Sequence, residues 1–518
     1  MMGQEKSENR IVPEGRRKAA PTSGRRGGKA IPANEQAVQL VLFSETADNP
    51  KGNVAMVATG QPVPAGRTVP KSETTKRSGP SAMSLEEVAD GTNLRTAFEQ
   101  VARNRGAPGS DGQTISWVRK HLNEIVRTIR LELLEETYRP GRIRRVWIPK
   151  PGGGQRGLGI PDVVDRMVGQ AINQVLTPHF DRTFHRSSHG FRRYRSCHTA
   201  VTEAKEHLEA GHGWAVDIDL EKFFDRVPRE RLLARVGGKV EDQRVLRLIR
   251  RLLKSKVVMP DGVVIATELG VPQGGPLSPL LSNIVLDELD WELDRRGHRF
   301  VRYADDCKIY VRSERSGQRV MASVTRYLET RLCLQVNREK SAVAPSGERH
   351  FLGFHLRLAP DGVVEIELSK RSRLRIRQRI RDLTPRSWGQ SLAACIRRIN
   401  QYTTGWLGFF RIVGASDARF LRHQDAHIRR RLRAIILKHW RRKRTIVRRL
   451  IRLGVRPSTA RRRVYIGNRS WWSLSMDTTV HYGLSNSYFQ NEGLLSIYNR
   501  WQAYRRDTAP KQLLLRMG

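Results

Sequence analysis

In the segment Phe300-Val-Arg-Tyr-Ala-Asp-Asp-Cys-Lys-Ile-Tyr-Val311, two aspartates interrupt residues typical of strands. The pattern predicts a β-hairpin with the paired acids at its tip. A second segment, Trp214-Ala-Val-Asp-Ile-Asp-Leu220, alternates apolar and acidic residues. As a strand it places Asp217 and Asp219 on one face. The two segments therefore offer the oxygen ligands that Mg²⁺ prefers.

Each acidic pattern alone also has an ordinary explanation. An Asp-Asp turn is usually a solvated loop, and a half-acidic strand is usually a surface strand. If one acid of the strand met one or both acids of the hairpin, they would suit two Mg²⁺ ions about 4 Å apart. Such a pair activates an attacking hydroxyl and stabilises a leaving pyrophosphate.

Composition points to a polyanionic partner. The 518 residues include 94 Lys and Arg against 51 Asp and Glu, a formal net charge of +43, which disfavours an ordinary metabolic enzyme and indicates nucleic acid. Between residues 370 and 463 there are 29 basic residues and three acids. This helical, Arg-dense region predicts a phosphate-binding surface. The residues expected to bind RNA are Arg429, Arg430, Arg433, Arg441, Arg442, Lys443 and Arg444.

Other features indicate the compartment. The four cysteines are far apart and form no CxxC pair, so neither a disulfide framework nor a zinc site is predicted. No apolar run approaches the roughly 18 residues of a membrane span, and the first residues lack the order of a signal peptide. We therefore expect a cytosolic protein associated with its nucleic acid, with no membrane partner. The sequence does not determine the oligomeric state.

Seven ordered blocks resemble the reverse transcriptases encoded by group II introns, which double as splicing maturases. The resemblance covers about residues 95 to 440. The blocks are Ile148-Pro-Lys-Pro-Gly-Gly-Gly-Gln-Arg-Gly-Leu-Gly-Ile-Pro161 with Asp165-Arg166, His189-Gly-Phe-Arg-Arg-Tyr-Arg-Ser-Cys-His198, Asp217-Ile-Asp-Leu-Glu-Lys-Phe-Phe-Asp225, Gly270-Val-Pro-Gln-Gly-Gly-Pro-Leu-Ser-Pro-Leu-Leu-Ser-Asn283, Tyr303-Ala-Asp-Asp306, Leu334-Gln-Val-Asn-Arg-Glu-Lys340 and Phe351-Leu-Gly-Phe354.

The resemblance implies an α+β fold: a right-hand polymerase, with fingers and a palm built on an antiparallel sheet, followed by an α-helical thumb that is also the maturase domain. No HxxH or CxxC arrangement follows the helical region, so we expect the chain to lack the Cys- and His-rich HNH endonuclease of many relatives. The expected domains are a disordered basic leader over residues 1–84, fingers over 85–213, the palm with the active site over 214–366, the RNA-binding thumb over 367–463, and a C-terminal tail over 464–518 that is a candidate for contacting DNA or RNA.

By the same resemblance, Asp219, Asp305 and Asp306 form the catalytic, metal-binding triad. Asp217 competes with Asp219 for the first position. The family pattern favours Asp219, because it places an aromatic residue and then Asp225 six residues after the catalytic aspartate.

The resemblance also assigns residues to the nucleotide. Phe224 would face the sugar 2′ position and disfavour ribonucleotides, although a core aromatic at the strand end is the alternative. Gln273 lies in the motif that packs against the template base and nucleotide, and Lys340 is a candidate proton donor to pyrophosphate.

A glycine-rich loop supplies the remaining nucleotide contacts. Lys150 and Arg156 resemble fingers residues that grip the incoming triphosphate, where fixed cations offset negative charge. The family usually has proline where this chain has Gly157, which predicts a looser backbone beside Arg156.

The expected function is RNA-directed DNA polymerisation with dNTPs and two Mg²⁺ ions on an RNA template with a DNA primer. The chain would also bind its host group II intron RNA to assist splicing, and would support mobility by copying the inserted RNA at target DNA. Two alternatives remain open: splicing assistance with vestigial polymerisation, and a domesticated relative in phage defence or spacer acquisition. The intact acids and Phe224 oppose the first, and the long basic thumb opposes the second.

Overall fold

The computed structural model describes residues 83–149, 154–266, 269–272, 274–359, 362–385, 389, 391–467 and 469–508. Helices and strands are mixed as far as Leu368, and after it the described residues are helical apart from turns. The predicted α+β fold class is thereby confirmed. Among the described helices, none has the length and apolarity needed to cross a membrane.

The helices are α1 (Leu85–Val88), α2 (Gly91–Arg103), α3 (Ile115–Lys120), α4 (Leu122–Leu134), α5 (Val163–Asp181), α6 (Cys197–Glu209), α7 (Phe223–Arg226), α8 (Arg229–Gly237), α9 (Gln243–Leu253), α10 (Ser278–Arg295), α11 (Glu314–Thr330), α12 (Lys370–Leu383), α13 (Leu392–Phe410), α14 (Ala418–Trp440), α15 (Lys443–Arg452), α16 (Pro457–Tyr465), α17 (Trp471–Leu474), α18 (Thr478–Gly483), α19 (Asn486–Asn491) and α20 (Ile497–Thr508). The strands are β1 (Ile143–Pro149), β2 (Gln155–Ile160), β3 (Trp214–Ile218), β4 (Val257–Val258), β5 (Val264–Ile265), β6 (Arg299–Tyr303), β7 (Asp306–Val311), β8 (Ala342–Pro345), β9 (His350–Phe351), β10 (Phe354–Leu358) and β11 (Val364–Leu368).

The strands form three sheets. The central sheet is antiparallel with the order β6-β7-β3-β8. A second sheet, β2-β1-β4-β5, joins the β1–β2 hairpin to β4 by parallel pairing. The third, β11-β10-β9, precedes the helical region. Strand β4, which lies in the predicted palm range, therefore pairs with the predicted fingers hairpin, and β5 pairs with β4.

The central sheet separates two apolar cores. Val216 and Ile309 belong to a core built with the helices before β8, whereas Ala215, Val301 and Tyr310 belong to a second core shared with α6 and the helical region. Because side chains of a strand alternate between its faces, β3, β6 and β7 each contribute to both cores. The sheet is thus buried on both faces, apart from the end that carries the acidic residues.

The first described helices differ from the sequence pattern, which predicts one helix from Ser84 to Val101. Ser84 does begin α1, because its Oγ accepts a hydrogen bond from Glu87 N at 3.3 Å. The helix ends at once, and Asp90 begins α2 by accepting bonds from two first-turn N–H groups. A second N-cap therefore divides the predicted helix.

Two of the three acids of the basic helical region are buried in it. Asp417 accepts hydrogen bonds from Leu368 N at 2.7 Å and from the Arg373 guanidinium at 2.9 Å. Asp425 accepts from Ile497 N at 2.9 Å, at the start of α20. Both carboxylates therefore hold elements together, and they leave the charge of the outer surface strongly positive.

Candidate active site

The acidic hairpin forms as the sequence predicts, with a shift of one residue. Strands β6 and β7 pair Tyr303 with Asp306, so Ala304 and Asp305 are the two loop residues. Ala304 has φ +56°, the left-handed conformation that such short hairpin loops require. Asp305 is exposed at the tip, whereas Asp306 is the partly buried first residue of β7.

The neighbouring strand brings the second acidic pattern to the same end of the sheet. In the β3–β7 pairing, Asp217 lies opposite Lys308 and Ile218 lies opposite Cys307. Continuing this register by one residue places Asp219 opposite Asp306. The sheet therefore brings the strand acid beside the hairpin acids, as the predicted site requires.

The two strand acids have different surroundings. Asp217 is 18% exposed, and its Oδ2 lies 2.8 Å from both Lys308 Nζ and a terminal nitrogen of Arg349. The Asp219 side chain is 45% exposed, with its Oδ1 3.9 Å from Lys340 Nζ. Asp217 is thus part of an internal ion-pair network, and Asp219 is the carboxylate of the pair more accessible to a ligand.

Negative charge is concentrated at this end of the sheet. Burial raises the pKa of Asp306 to about 7; Lys308 opposes the increase, and the carboxylates of Asp217, Asp305 and Asp219 add to it. A divalent cation would offset this repulsion. Within the described ranges, no three His, Cys, Asp or Glu side chains form a group that could hold an ion on their own. The arrangement fits Mg²⁺ bound by one or two carboxylates together with substrate phosphates.

Phe224 lies beside this end, in the short helix α7. Its ring is half-buried and meets the Phe223 ring edge-on at 5.2 Å. Its carbonyl accepts a hydrogen bond from Val271 N at 2.6 Å. Gly270 has φ +92°, and a Cβ there would lie 2.7 Å from the Phe224 oxygen, so only glycine fits. The loop around Gly270 thus packs closely on the backbone of Phe224.

The same loop also reaches the predicted fingers hairpin. A Cβ on Gly274 would overlap the carbonyl oxygen of Gly159, in β2. Arg156 is exposed on that strand and pairs with Ile148. The loop therefore connects the strand that carries Arg156 to the helix that carries Phe224. Two predicted nucleotide-binding residues, Lys150 and Gln273, lie outside the described residues.

Gly157 is held more firmly than predicted. It lies within β2, opposite Trp147, rather than in a loose loop. A Cβ would come within 2.9 Å of the Arg145 guanidinium and 3.0 Å of the Trp147 ring. A larger residue would therefore have to displace the side chains that cover the hairpin, and strand pairing limits the flexibility that glycine would otherwise give.

The seven predicted RNA-binding residues are not equally exposed. The exposed ones follow α14 or begin α15, and they are Arg441, Arg442 and Arg444. The partly exposed ones are Arg429, Arg430 and Lys443. Arg433 is buried: it donates to Leu484 O at 2.9 Å, and burial lowers its pKa to about 10. Arg433 lies on the face of α14 that the later helices cover, which the count of basic residues could not reveal.

Sequence reasoning missed the two cations that hold Asp217. The sequence could have indicated Lys308, because in a strand it shares a face with Asp306 and would lie opposite an acid of the neighbouring strand. Arg349 had none: it is 132 residues from Asp217 and reaches it only through the fold.

Two protein families match the chain, one over the region that contains the sheets and one over the helical region that follows it. Residues 148–356 match the family described as "Reverse transcriptase (RNA-dependent DNA polymerase)". Residues 373–453 match "Group II intron, maturase-specific domain". The chain carries a reverse transcriptase domain followed by a group II intron maturase domain. The resemblance to group II intron-encoded reverse transcriptases is therefore confirmed.

Curated relatives agree with this assignment. The chain is 27% identical over 335 residues to the group II intron-encoded protein LtrA of Lactococcus lactis, which covers 52% of this chain. It is 37% identical over 209 residues to protein YkfC of Escherichia coli, which covers 39% of this chain. In each case the match spans 55% of the relative's length. The chain thus spans about half the length of these relatives.

Solved structures include a similar chain in the "Partial Cas6-RT-Cas1--Cas2 complex". Its TM-score is 0.32 and its sequence identity 23%, and the match covers 48% of this chain and 42% of that one.

Proposed function

We propose that the protein is an RNA-directed DNA polymerase that extends a DNA primer on an RNA template with dNTPs. The observation that carries the proposal is the hairpin loop within the reverse transcriptase match, which exposes Asp305 at the end of the sheet where Asp219 also lies. This arrangement supplies two accessible carboxylates beside the half-buried Phe224.

The residues present fit two Mg²⁺ ions. Asp219 and Asp305 would hold them together with substrate phosphates, and Asp306 would add a partly buried carboxylate behind them. When bound, the two ions activate the primer 3′-hydroxyl and stabilise the leaving pyrophosphate. The Lys340 side chain is 62% exposed and its Nζ lies 3.9 Å from Asp219 Oδ1; it would give a proton to the pyrophosphate.

The remaining proposed residues orient the nucleotide. The exposed Arg156 guanidinium would bind the triphosphate, with Lys150 from the preceding loop. Phe224 would contact the sugar and exclude a 2′-hydroxyl. Its position is fixed from behind by Phe223 and by the Val271 hydrogen bond. Gln273 would contact the template base, as the family resemblance implies.

The helical region would bind intron RNA. We propose a thumb and maturase over residues 367–463 with a nucleic-acid-contacting tail over 464–518, after fingers over 85–213 and a palm over 214–366. The maturase-domain match, the exposed arginines near the end of α14 and the burial of Asp417 and Asp425 support this proposal. The protein would assist splicing of its host intron and copy the inserted RNA at target DNA, as a cytosolic ribonucleoprotein.

Two assays test the proposal. The protein should extend a DNA primer on a heteropolymeric RNA template with Mg²⁺ and dNTPs, and chelation should stop extension. It should also accelerate splicing of intron RNA transcribed from the DNA that flanks its gene. Accelerated splicing without any extension would favour a maturase with vestigial polymerisation. Extension with no effect on splicing would overturn the maturase role.

A further inference from the structure

The hairpin strand carries a buried arginine that the proposed chemistry does not use. Arg302 is fully buried in β6 and ion-pairs with Asp290 of α10, which is equally buried. Its Nε donates to Asp290 Oδ1 at 2.7 Å, and one terminal nitrogen donates to Asp290 Oδ2 at 2.5 Å. This bidentate pair compensates the buried charge.

The other N–H groups of Arg302 do not go to Asp290. They donate to Ala304 O at 2.8 Å, to Asn283 Oδ1 at 3.0 Å and to Ser188 Oγ at 2.7 Å. All five N–H donors of the guanidinium are therefore used. Two of these N–H groups bind Asp290, and the remaining three hold Ala304, Asn283 and Ser188.

Ala304 is the first of the two loop residues, and its carbonyl is the group immediately before Asp305. The loop is also held from the side by Gly190, where a Cβ would lie 3.0 Å from Ala304 Cα. Gly190 is fixed in turn, because its carbonyl accepts a hydrogen bond from Asn283 Nδ2 at 2.9 Å. Arg302 and Asn283 thus support the loop directly and through Gly190.

The Arg302 backbone strengthens the same connection. Its N–H donates to Ser187 O and its carbonyl accepts from His189 N, both at 2.8 Å. The guanidinium therefore ties β6, α10 and the segment before Gly190 to one point beneath the loop. A rigid support of this kind holds a ligand on an exposed two-residue loop in a constant position.

We propose that Arg302 is the positioning residue that fixes Asp305 for metal binding, through the Ala304 carbonyl and the Gly190 contact. The inference rests on the proposed polymerase function, and it assigns to the Arg302–Asp290 pair a role beyond the stability of the core. Arg302 touches neither substrate nor metal, and it acts only through the backbone of the loop.

The test separates positioning from stability. The double variant Arg302→Met/Asp290→Leu replaces the buried ion pair by apolar side chains, a change that often preserves folding. Arg302→Lys keeps one charge beside Asp290 but cannot reach all the acceptors. Asp417→Asn is the control, because it weakens the ion pair between the buried Asp417 and the partly exposed Arg373, in the helical region that follows the sheets. Each protein is measured by thermal unfolding, primer–template affinity, steady-state extension, and Mn²⁺ binding followed by electron paramagnetic resonance.

We expect both Arg302 variants to bind primer–template as the wild type does, with kcat lower by about 100-fold and weaker Mn²⁺ binding. The control should lose stability but keep its Mn²⁺ affinity and kcat. Unchanged Mn²⁺ affinity and kcat in a folded Arg302 variant would overturn the inference. If both Arg302 variants unfold, the same measurements are made on Ser188→Ala and Asn283→Ala. Each of these variants removes one hydrogen-bond acceptor of Arg302. Loss of extension in the wild type itself would instead contradict the proposed function.

Discussion

At the residue scale, Asp217 in β3 and Asp219 just after that strand show that two acids close in sequence can have different surroundings. Asp217 and Asp219 share a face and differ by two positions, yet Asp217 is 18% exposed and held by two cations, whereas the Asp219 side chain is 45% exposed. The preference for Asp219 came from a family pattern. The structure adds a physical reason, since a carboxylate already shared by two cations is a poorer ligand for a third.

Substituting each acid in turn compares these roles. We expect Asp219→Asn to lower primer extension by about 10³-fold, because it removes a metal ligand, with little change in stability. Asp217→Asn should retain extension but lose on the order of 3 kcal/mol of unfolding free energy, because Lys308 stays buried without its counter-charge. Extension rates and denaturant unfolding of both variants check this. The reverse pattern would exchange the two assignments.

Phe224 gives a second residue-scale prediction. Phe224→Ala should raise incorporation of ribonucleotides relative to deoxyribonucleotides by roughly 10- to 100-fold, because the ring would no longer occupy the space of a 2′-hydroxyl. The ratio of kcat/KM for the two nucleotides measures the effect. Phe489→Leu, a change in a buried ring of the other apolar core, is the control. If the ratio stays constant in Phe224→Ala, the ring has only a packing role.

At the element scale, hairpins were predictable and their surroundings were not. The strand-forming runs on either side of Asp305 and Asp306 were sufficient to predict β6 and β7, because strand pattern and turn are local properties. The parallel pairing of β1 with β4 was not predictable, since it joins Ile143 to Val257 across more than a hundred residues. The division of the first helix at Asp90 was also missed, because a strong apolar period hid a second cap.

A buried acid of α5 gives the pH prediction at this scale. Burial raises the pKa of Asp165 to about 6, although Tyr138 and Gly141 donate hydrogen bonds to it. Its pKa is thus higher in the folded state than in the unfolded chain, so the folded state binds the proton more tightly and loses stability as pH rises from about 4 to 6.

Asp165→Asn lacks this titration. Its deficit in unfolding free energy relative to the wild type should therefore shrink between pH 4.5 and pH 7 and stay constant above. Denaturant unfolding at several pH values measures it. A deficit that grows with pH would mean that the carboxylate is stabilised in its ionised form.

At the scale of the whole molecule, the basic charge is concentrated in the helical region that is proposed to bind intron RNA, outside the proposed polymerase site. The excess charge was evident from composition, and the maturase-domain match falls where it is concentrated. Composition could not tell which arginines reach the surface. Arg433 is buried under later helices, whereas Arg441 and Arg442 are exposed. Burial of this kind depends on contacts such as that with Leu484, 51 residues away.

The basic surface predicts a strong salt dependence of RNA binding. Replacing Arg441, Arg442 and Arg444 by Gln should reduce the slope of log affinity against log salt by about 2. The reason is that RNA binding releases fewer counterions when three phosphate contacts are missing. Filter binding between low and moderate salt gives the slope. The control replaces three exposed arginines near the other end of the chain, Arg95, Arg103 and Arg130. Equal slopes in both triple variants would place the RNA elsewhere.

The polymerase assignment depends most directly on the exposed acid of the hairpin loop. Single-turnover extension of a DNA primer on an RNA template, with saturating Mg²⁺ and dNTPs, compares the wild type with Asp305→Ala. We expect extension by the wild type and none above background by the variant, while both bind RNA with the same affinity, because Asp305 is an acid of the hairpin loop and not one of the basic residues proposed to contact phosphates. Extension by Asp305→Ala at the wild-type rate would contradict the assigned active site.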